Sequence, residues 1–274
     1  MYWAAQDPTM PTPLQLICTD FDGTLHSDFT EPPVPQALQA KLAQLQAQGA
    51  TWAINTGRTL DDLRLGIDHA ELTVHPDYVV VVEREIFRCV EHGYEPLTDW
   101  NDRCTRTQSA LFASIADRLP ELFDWVNLHF SANVFEDEWS PFCLIARNNR
   151  DADAIQEYVN AFFAGDSQLT FVRNDIYGRL SHTDFTKGTA LTELARQLDI
   201  PREGIFVAGD HWNDLSMLQP ERAEWLVSPA NSISEVLTHM ERIDGFIAPS
   251  ECGEGVLEGL EWALHQARFR PLIN

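Results

Sequence analysis

The sequence predicts an α/β protein whose doubly wound parallel sheet is interrupted by an inserted α+β unit. Three observations carry that reading. Apolar strand-like runs end in short polar loops containing glycine, as in 16–25, 50–58 and 204–214. Helix-period segments alternate with those runs, the βαβ order that gives parallel, right-handed crossovers. Between about Glu91 and Thr183 the pattern changes to strands and helices in another order, and then the first pattern resumes. The predicted organisation is a discontinuous core, residues 1–96 and 184–274, around an inserted unit, 97–183.

Composition narrows the function classes. Hydrophobic residues make up 44% of the 274, enough for a real core and against a disordered chain. The formal charge is −23, from 19 basic and 42 acidic residues. Nucleic acid and anionic membranes need clustered Lys and Arg, so neither is expected as a partner. The five cysteines are scattered, without CxxC spacing, which fits neither a disulfide framework nor a zinc site. Cys18 and Cys143 lie in apolar runs and read as small core residues, and a reducing cytoplasm is the expected location. Met1–Pro13 has no basic start or apolar segment of leader-peptide length, and no apolar run reaches membrane-spanning length.

The elements follow in order. Leu16–Thr19 is an apolar strand that runs into Asp20-Phe21-Asp22-Gly23-Thr24, where Gly23 predicts a break and a sharp turn. Gln36–Gln48 has leucines at helical spacing (Leu38, Leu42, Leu45) and Gly49 at its end. Ala50–Ile54 is a strand ending in Asn55-Thr56-Gly57-Arg58, and Thr59 caps a helix to His69 with Asp61 and Asp62 in its first turn. Tyr78–Val82 reads as a buried parallel strand, with Ile86–Arg88 pairing back as a hairpin. In the insertion, Thr105–Leu119 and Asp151–Phe163 read as helices. Val126–Phe130, Phe142–Ala146, Leu169–Val172 and Ile176–Leu180 read as strands. The core resumes with a helix at Lys187–Leu198 capped by Thr186. The strand Ile205–Ala208 follows and runs into Asp210-His211-Trp212-Asn213-Asp214. Then come a strand at Trp225–Val227 and helices at Ile233–Met240 and Gly255–Arg268.

Four polar clusters therefore fall at strand ends or helix starts: Asp20/Asp22, Thr56/Gly57/Arg58, Lys187, and Asp210/Asn213/Asp214. A parallel sheet brings such positions to one edge, where open α/β sheets bind ligands. The carboxylates offer hard oxygen ligands for Mg²⁺. The hydroxyl, the backbone N–H groups and the lysine suit phosphate oxygens. Alone, Asp20–Thr24 is equally a turn with two acids; the other three clusters decide it.

Asp20-Phe21-Asp22-Gly23-Thr24, Asn55-Thr56-Gly57-Arg58, Lys187-Gly188-Thr189-Ala190-Leu191 and Gly209-Asp210 through Asn213-Asp214 stand in the order of the four motifs of a known family. The chain resembles the haloacid dehalogenase superfamily of phosphatases, in its Cof-like branch with a large α/β cap. Pro229-Ala230-Asn231 and Gly253-Glu254-Gly255-Val256 are similar to loops of that branch. The resemblance implies a Rossmann-like core and a small phosphate ester as substrate, sugar phosphates first. It implies Asp20 as nucleophile forming an aspartyl-phosphate, and Asp22 as general acid and then base. It also implies Mg²⁺ held by Asp20, the Asp22 carbonyl and Asp210, with Asp214 in support. Phosphoryl oxygens would be bound by Thr56, the Gly57 N–H, Lys187 and Asn213. Arg58 would either clamp substrate phosphate or pair with an acid on the helix after it. Asp22 favours a phosphatase, or a phosphomutase or phosphotransferase on sugar phosphates, over a dehalogenase or an ion pump. A non-catalytic binder of phospho-ligands on this scaffold is a further alternative.

The chain departs from the family at Val82-Glu83-Arg84-Glu85, where Cof-like proteins carry Asn-Gly. His211 and Trp212 occupy variable positions, Trp212 reading as packing. His75, His129 and His182 read as structural or exposed, and Glu136 and Asp137 as a solvated loop. The aromatic set Phe123, Trp125, Phe130, Phe135, Trp139 and Phe142 is expected in the core of the inserted unit.

Overall fold

Leu16–Thr19 (β1) lies in the middle of an eight-stranded sheet and is fully buried along its length. The computed structural model describes residues 12–91 and 93–269. Residues 1–11, where no leader peptide is expected, lie outside the described residues. The other strands of the first half are Thr51–Asn55 (β2), Tyr78–Val81 (β3), Glu85–Val90 (β4) and Gly93–Pro96 (β5). The smaller sheet is built from Asn133–Phe135 (β6), Cys143–Ile145 (β7), Leu169–Asn174 (β8) and Tyr177–His182 (β9). The large sheet is completed by Ile205–Ala208 (β10), Trp225–Ser228 (β11) and Phe246–Ile247 (β12). Its order is β12-β11-β10-β1-β2-β3-β4-β5. The six strands from β12 to β3 pair in parallel, and β4 and β5 add an antiparallel edge.

Helices cover both faces because β1 alternates its side chains between them. Ile17 packs with Gln36–Ala47 (α1), Leu60–His69 (α2) and Cys252–Phe269 (α8). Leu16 and Cys18 pack with the start of Thr98–Ile115 (α3), with Lys187–Gln197 (α6) and with Ser234–Arg242 (α7). Two helix starts have the predicted caps: Thr59 accepts from the Asp62 N–H, and Thr186 forms a capping box with Thr189. All five cysteines are free, and burial pushes the Cys18 thiol up to about 12, consistent with an inert core residue. Among the described residues no helix is long and apolar enough to cross a membrane.

The second sheet is four-stranded and antiparallel, in the order β6-β7-β9-β8. One face packs under Leu119–His129 (α4) and Asn149–Phe162 (α5), with Phe142, Leu144, Phe171 and Leu180 in its core. α3 joins the two cores: Trp100 and Cys104 belong to the large sheet's cluster and Ile115 to the small sheet's. Asn101 fastens α3 by pairing with both the N–H and the C=O of Ile86.

Three local expectations are corrected. Val126–Phe130, read as a strand, is the end of α4, where Leu122 and Val126 are buried at an i, i+4 spacing. α3 starts at Thr98 rather than Thr105, because Trp100 and Asn101 anchor its first turns to the large sheet. Within the aromatic set, Trp139 packs against the large sheet's core, and Phe135 is 37% exposed.

Candidate active site

The four predicted clusters meet at the carboxyl edge of the parallel strands. β1 ends at Thr19 and β10 at Ala208, and their register brings Asp20 beside the Gly209-Asp210 loop. The Asp20 N–H donates to the Ala208 carbonyl at 2.9 Å. Asp20, Asp210 and Asp214 present oxygens that all lie within 4.8 Å of one another, and all three residues are buried. Lys187 reaches this cluster from the first turn of α6. It is fully buried and donates to Asp20 Oδ1 and to Asp214 Oδ1, each at 2.6 Å. Asp214 Oδ2 accepts from the Asp210 and His211 N–H groups at 2.9 Å. Asp210 Oδ1 accepts from the Thr24 hydroxyl at 2.6 Å. Asp20 Oδ2 is buried and has no hydrogen-bond partner.

The electrostatics follow from one ammonium among three buried carboxylates. Burial, then the Asp214 charge, holds the Asp20 carboxyl well above its ordinary value. Burial and Asp214 push Asp210 up to about 7, against the opposing Thr24 hydrogen bond. Burial disfavours the Lys187 ammonium, but Asp20 and Asp214 outweigh it and raise Lys187 above the ordinary lysine range. The cluster remains short of positive charge, and its free donor atoms are hard oxygens, the set that suits Mg²⁺.

Asp22 stands apart from that cluster. Beyond β1 the backbone turns at Gly23 (φ 75°), and the Asp22 carboxylate faces Arg58 instead of Asp20. The Arg58 guanidinium holds it in a fork, Nε to Oδ2 at 2.7 Å and Nη2 to Oδ1 at 2.6 Å, and lies over the Phe21 ring. Arg58 pairs with an acid, but that acid is Asp22; its contact on the following helix is the Asp62 carbonyl. The guanidinium is engaged by the Asp22 carboxylate in this arrangement.

Thr56 is buried and its hydroxyl accepts from the Arg58 N–H, while Asn213 donates to Glu83 Oε1 at 2.9 Å and leaves its own Oδ1 buried without a partner. The departure at 82–85 has a physical basis. Val82 and Glu83 both have positive φ, 43° and 66°. That is strained for side chains of these types. Hydrogen bonds from the Val82 N–H to the Arg58 carbonyl and from the Glu83 N–H to the Thr56 carbonyl hold the turn. Glu83 thus stands beside the Gly57 loop, 3.3 Å from where a Cβ on Gly57 would lie.

Sequence reasoning missed four supporting residues. Thr24 orients Asp210, and Glu83 holds Asn213. Asn55 donates to the Lys187 carbonyl at 2.9 Å, and Asn231 donates to the Gly23 carbonyl at 2.8 Å. Thr24, Asn55 and Asn231 stood inside the quoted motifs, which was the available signal; Glu83 stood out only as a departure. His211 buries an unpartnered Nδ1, and Trp212 stacks under Arg173 of β8, as packing predicts. Asp137 organises its own turn, accepting from the Trp139 and Ser140 N–H groups.

Gly23 gives a direct test of this geometry. A Cβ there would sit 2.6 Å from Asp210 Oδ2. Gly23→Ala is therefore expected to cost about 1–3 kcal/mol from backbone strain and to displace Asp210. Urea unfolding and Mg²⁺ titration of the variant measure the two effects separately.

Comparison with known proteins bears on the family and the fold. The family model described as haloacid dehalogenase-like hydrolase matches residues 121–260, just over half of the chain. The chain is 24% identical over 251 residues to a Bacillus subtilis (strain 168) protein named "Putative phosphatase YxeH", covering 81% of this chain and 90% of that protein. Among solved structures, the sucrose-phosphatase of Synechocystis sp. PCC6803 superposes with a TM-score of 0.68 at 19% identity, covering 91% of this chain and 98% of that one. The yhjK protein of Bacillus subtilis, a haloacid dehalogenase-like hydrolase, gives 0.60 at 16% identity, with 93% of each chain covered. These structures share the fold, and the family model adds the family: the chain belongs to the haloacid dehalogenase-like hydrolases.

Proposed function

We propose that the protein is a Mg²⁺-dependent phosphatase that hydrolyses phosphomonoesters of small metabolites, sugar phosphates first, through an aspartyl-phosphate on Asp20. The observation that carries this is the buried Asp20 carboxylate. One of its oxygens is held by Lys187 and the other has no partner, at the edge where Asp210 and Asp214 converge. Asp20, the Asp22 carbonyl and Asp210 would hold the metal, with Asp214 fixing the loop that carries Asp210. Bound there, Mg²⁺ supplies Lewis-acid stabilisation of phosphoryl charge.

The side chains divide the remaining work. An Asp20 oxygen attacks phosphorus as the ester oxygen departs, and Asp22 delivers a proton to that oxygen. Asp22, held by Arg58 outside the buried cluster, then takes a proton from water as that water attacks the aspartyl-phosphate. Phosphate leaves and Asp20 is restored. Lys187 balances charge throughout, and Thr56, the Gly57 N–H and Asn213 would hold phosphoryl oxygens. Residues 97–183 would act as a cap that excludes water and selects the leaving group. The name of the sucrose-phosphatase relative supports a sugar phosphate as first candidate. The free cysteines support a reducing cytoplasm.

The test is a panel of phosphate esters with and without Mg²⁺. Turnover that is unaffected by EDTA, or no turnover of any ester, overturns the proposal.

The metal also sets a pH dependence. Asp210 stands at about 7 in the fold against an ordinary 3.8. Between those values the native state holds a proton that the unfolded chain has lost. The stability this group contributes is therefore full below the lower value and is lost as pH rises through the upper one. The ionised form of Asp210 would be the one that holds Mg²⁺, so the rise in Tm on adding Mg²⁺ is expected to grow between about pH 5.5 and about pH 8. Scanning calorimetry at several pH values measures it, and a pH-independent rise would contradict it.

A further inference from the structure

We propose that the favoured phosphate ester carries a second anionic group, a carboxylate or another phosphate, and that Arg179 receives it. This rests on the phosphatase reading above.

Arg179 lies in β9, paired with Cys143 of β7 on one side and Val172 of β8 on the other, and Phe135 of β6 continues the row. The helices α4 and α5 cover the opposite face of this sheet, so Arg179 projects from the uncovered face. Arg179 lies near Arg84, in the turn between β3 and β4 of the large sheet. Arg84, next to Glu83, is buried there and donates to the Trp139 carbonyl at 3.0 Å. Burial lowers the Arg84 guanidinium, Glu85 opposes that effect, and the nearby charge of Arg179 lowers it further.

The two arginines are satisfied differently. With its amide oxygen turned toward Arg84, Gln108 would accept from that guanidinium at 2.5–3.1 Å. Arg179 Nη1 is buried with no hydrogen-bond partner. Its ion pair with Asp137 Oδ2 spans 4.0 Å, too long for a hydrogen bond, and Asp137 Oδ1 is taken by two backbone N–H groups. A buried guanidinium N–H without an acceptor is costly, and two arginines in one seam repel. An anion at Arg179 relieves both, and the planar fork of arginine matches a carboxylate or a phosphate. In a chain with 19 basic residues against 42 acidic ones, this placement selects for negative charge at the far end of the substrate. Phosphorylated sugar acids and sugar bisphosphates fit; a neutral sugar phosphate leaves Arg179 unmet.

The test compares kcat/KM of the full-length enzyme with Mg²⁺ for glucose 6-phosphate, 6-phosphogluconate and fructose 1,6-bisphosphate, with p-nitrophenyl phosphate as reference. Ratios taken within one preparation do not depend on the fraction folded. The wild type is expected to favour at least one anionic ester over the neutral one by about 10–100-fold, the worth of a charge-assisted hydrogen-bond pair. Arg179→Met is expected to abolish the preference and Arg179→Lys to keep part of it. The two anionic arms separate a carboxylate site from a phosphate site. Equal kcat/KM for neutral and anionic esters, or a preference unchanged in Arg179→Met, overturns the inference and leaves the phosphatase reading standing. A wild type that turns over p-nitrophenyl phosphate but neither anionic ester does the same. No turnover of any ester overturns both.

Discussion

Asp20→Asn is expected to lower kcat by about 10⁴-fold or more, because the amide cannot form the covalent intermediate. The fold should survive. Asn keeps the shape and an oxygen that can accept from Lys187, and it removes a carboxylate whose ionised form is disfavoured by burial and by Asp214. Because Asp20 titrates above its ordinary value in the fold, its ionised form costs stability at neutral pH and its protonated form does not. The variant's Tm should therefore equal or exceed that of the wild type near neutral pH, and any gain should shrink as pH falls. Steady-state kinetics and calorimetry on one preparation separate lost chemistry from lost structure.

Lys187→Met should lose both. The ammonium is fully buried and is the hydrogen-bond donor shared by Asp20 and Asp214. Removing one member of a buried ionic group leaves the others uncompensated, at a cost of about 3–5 kcal/mol. The sign of the pH dependence is fixed. Lys187 titrates above its ordinary value in the fold, so its contribution is present below 10.5 and is lost only as pH rises beyond that. In the variant the orphaned carboxylates can take up protons, so its deficit relative to the wild type should narrow as pH falls. Urea unfolding at neutral and acidic pH measures this, and a deficit independent of pH would contradict the charge account.

The placement of the candidate site was legible in the sequence where its signals were local. Asp20, Lys187 and Asp210 each stand beside a strand end or helix start with its own signal: the Gly23 break, the Thr186 cap and the apolar run Ile205–Ala208. A parallel sheet then needs no further information to bring them together. What the sequence did not show are pairings between distant side chains. Arg58 could be read as facing substrate or its own helix, and only the turn at Gly23 shows that it faces Asp22. Glu83 looked like a missing Asn-Gly, yet it holds Asn213, 130 positions away. The error at Val126–Phe130 has another cause. A short apolar run cannot be told from a buried helix end by period alone, and the i, i+4 partner Leu122 lay outside the stretch considered.

The central claim is that Asp20 carries the phosphoryl group. Its most direct test is acid quenching of the enzyme during turnover of a phosphate ester with Mg²⁺, followed by peptide mapping. The expected result is a phosphoryl adduct on the peptide containing Asp20, absent from Asp20→Asn. An adduct on another residue, or no adduct together with Asp20→Asn turning over at the wild-type rate, would contradict it.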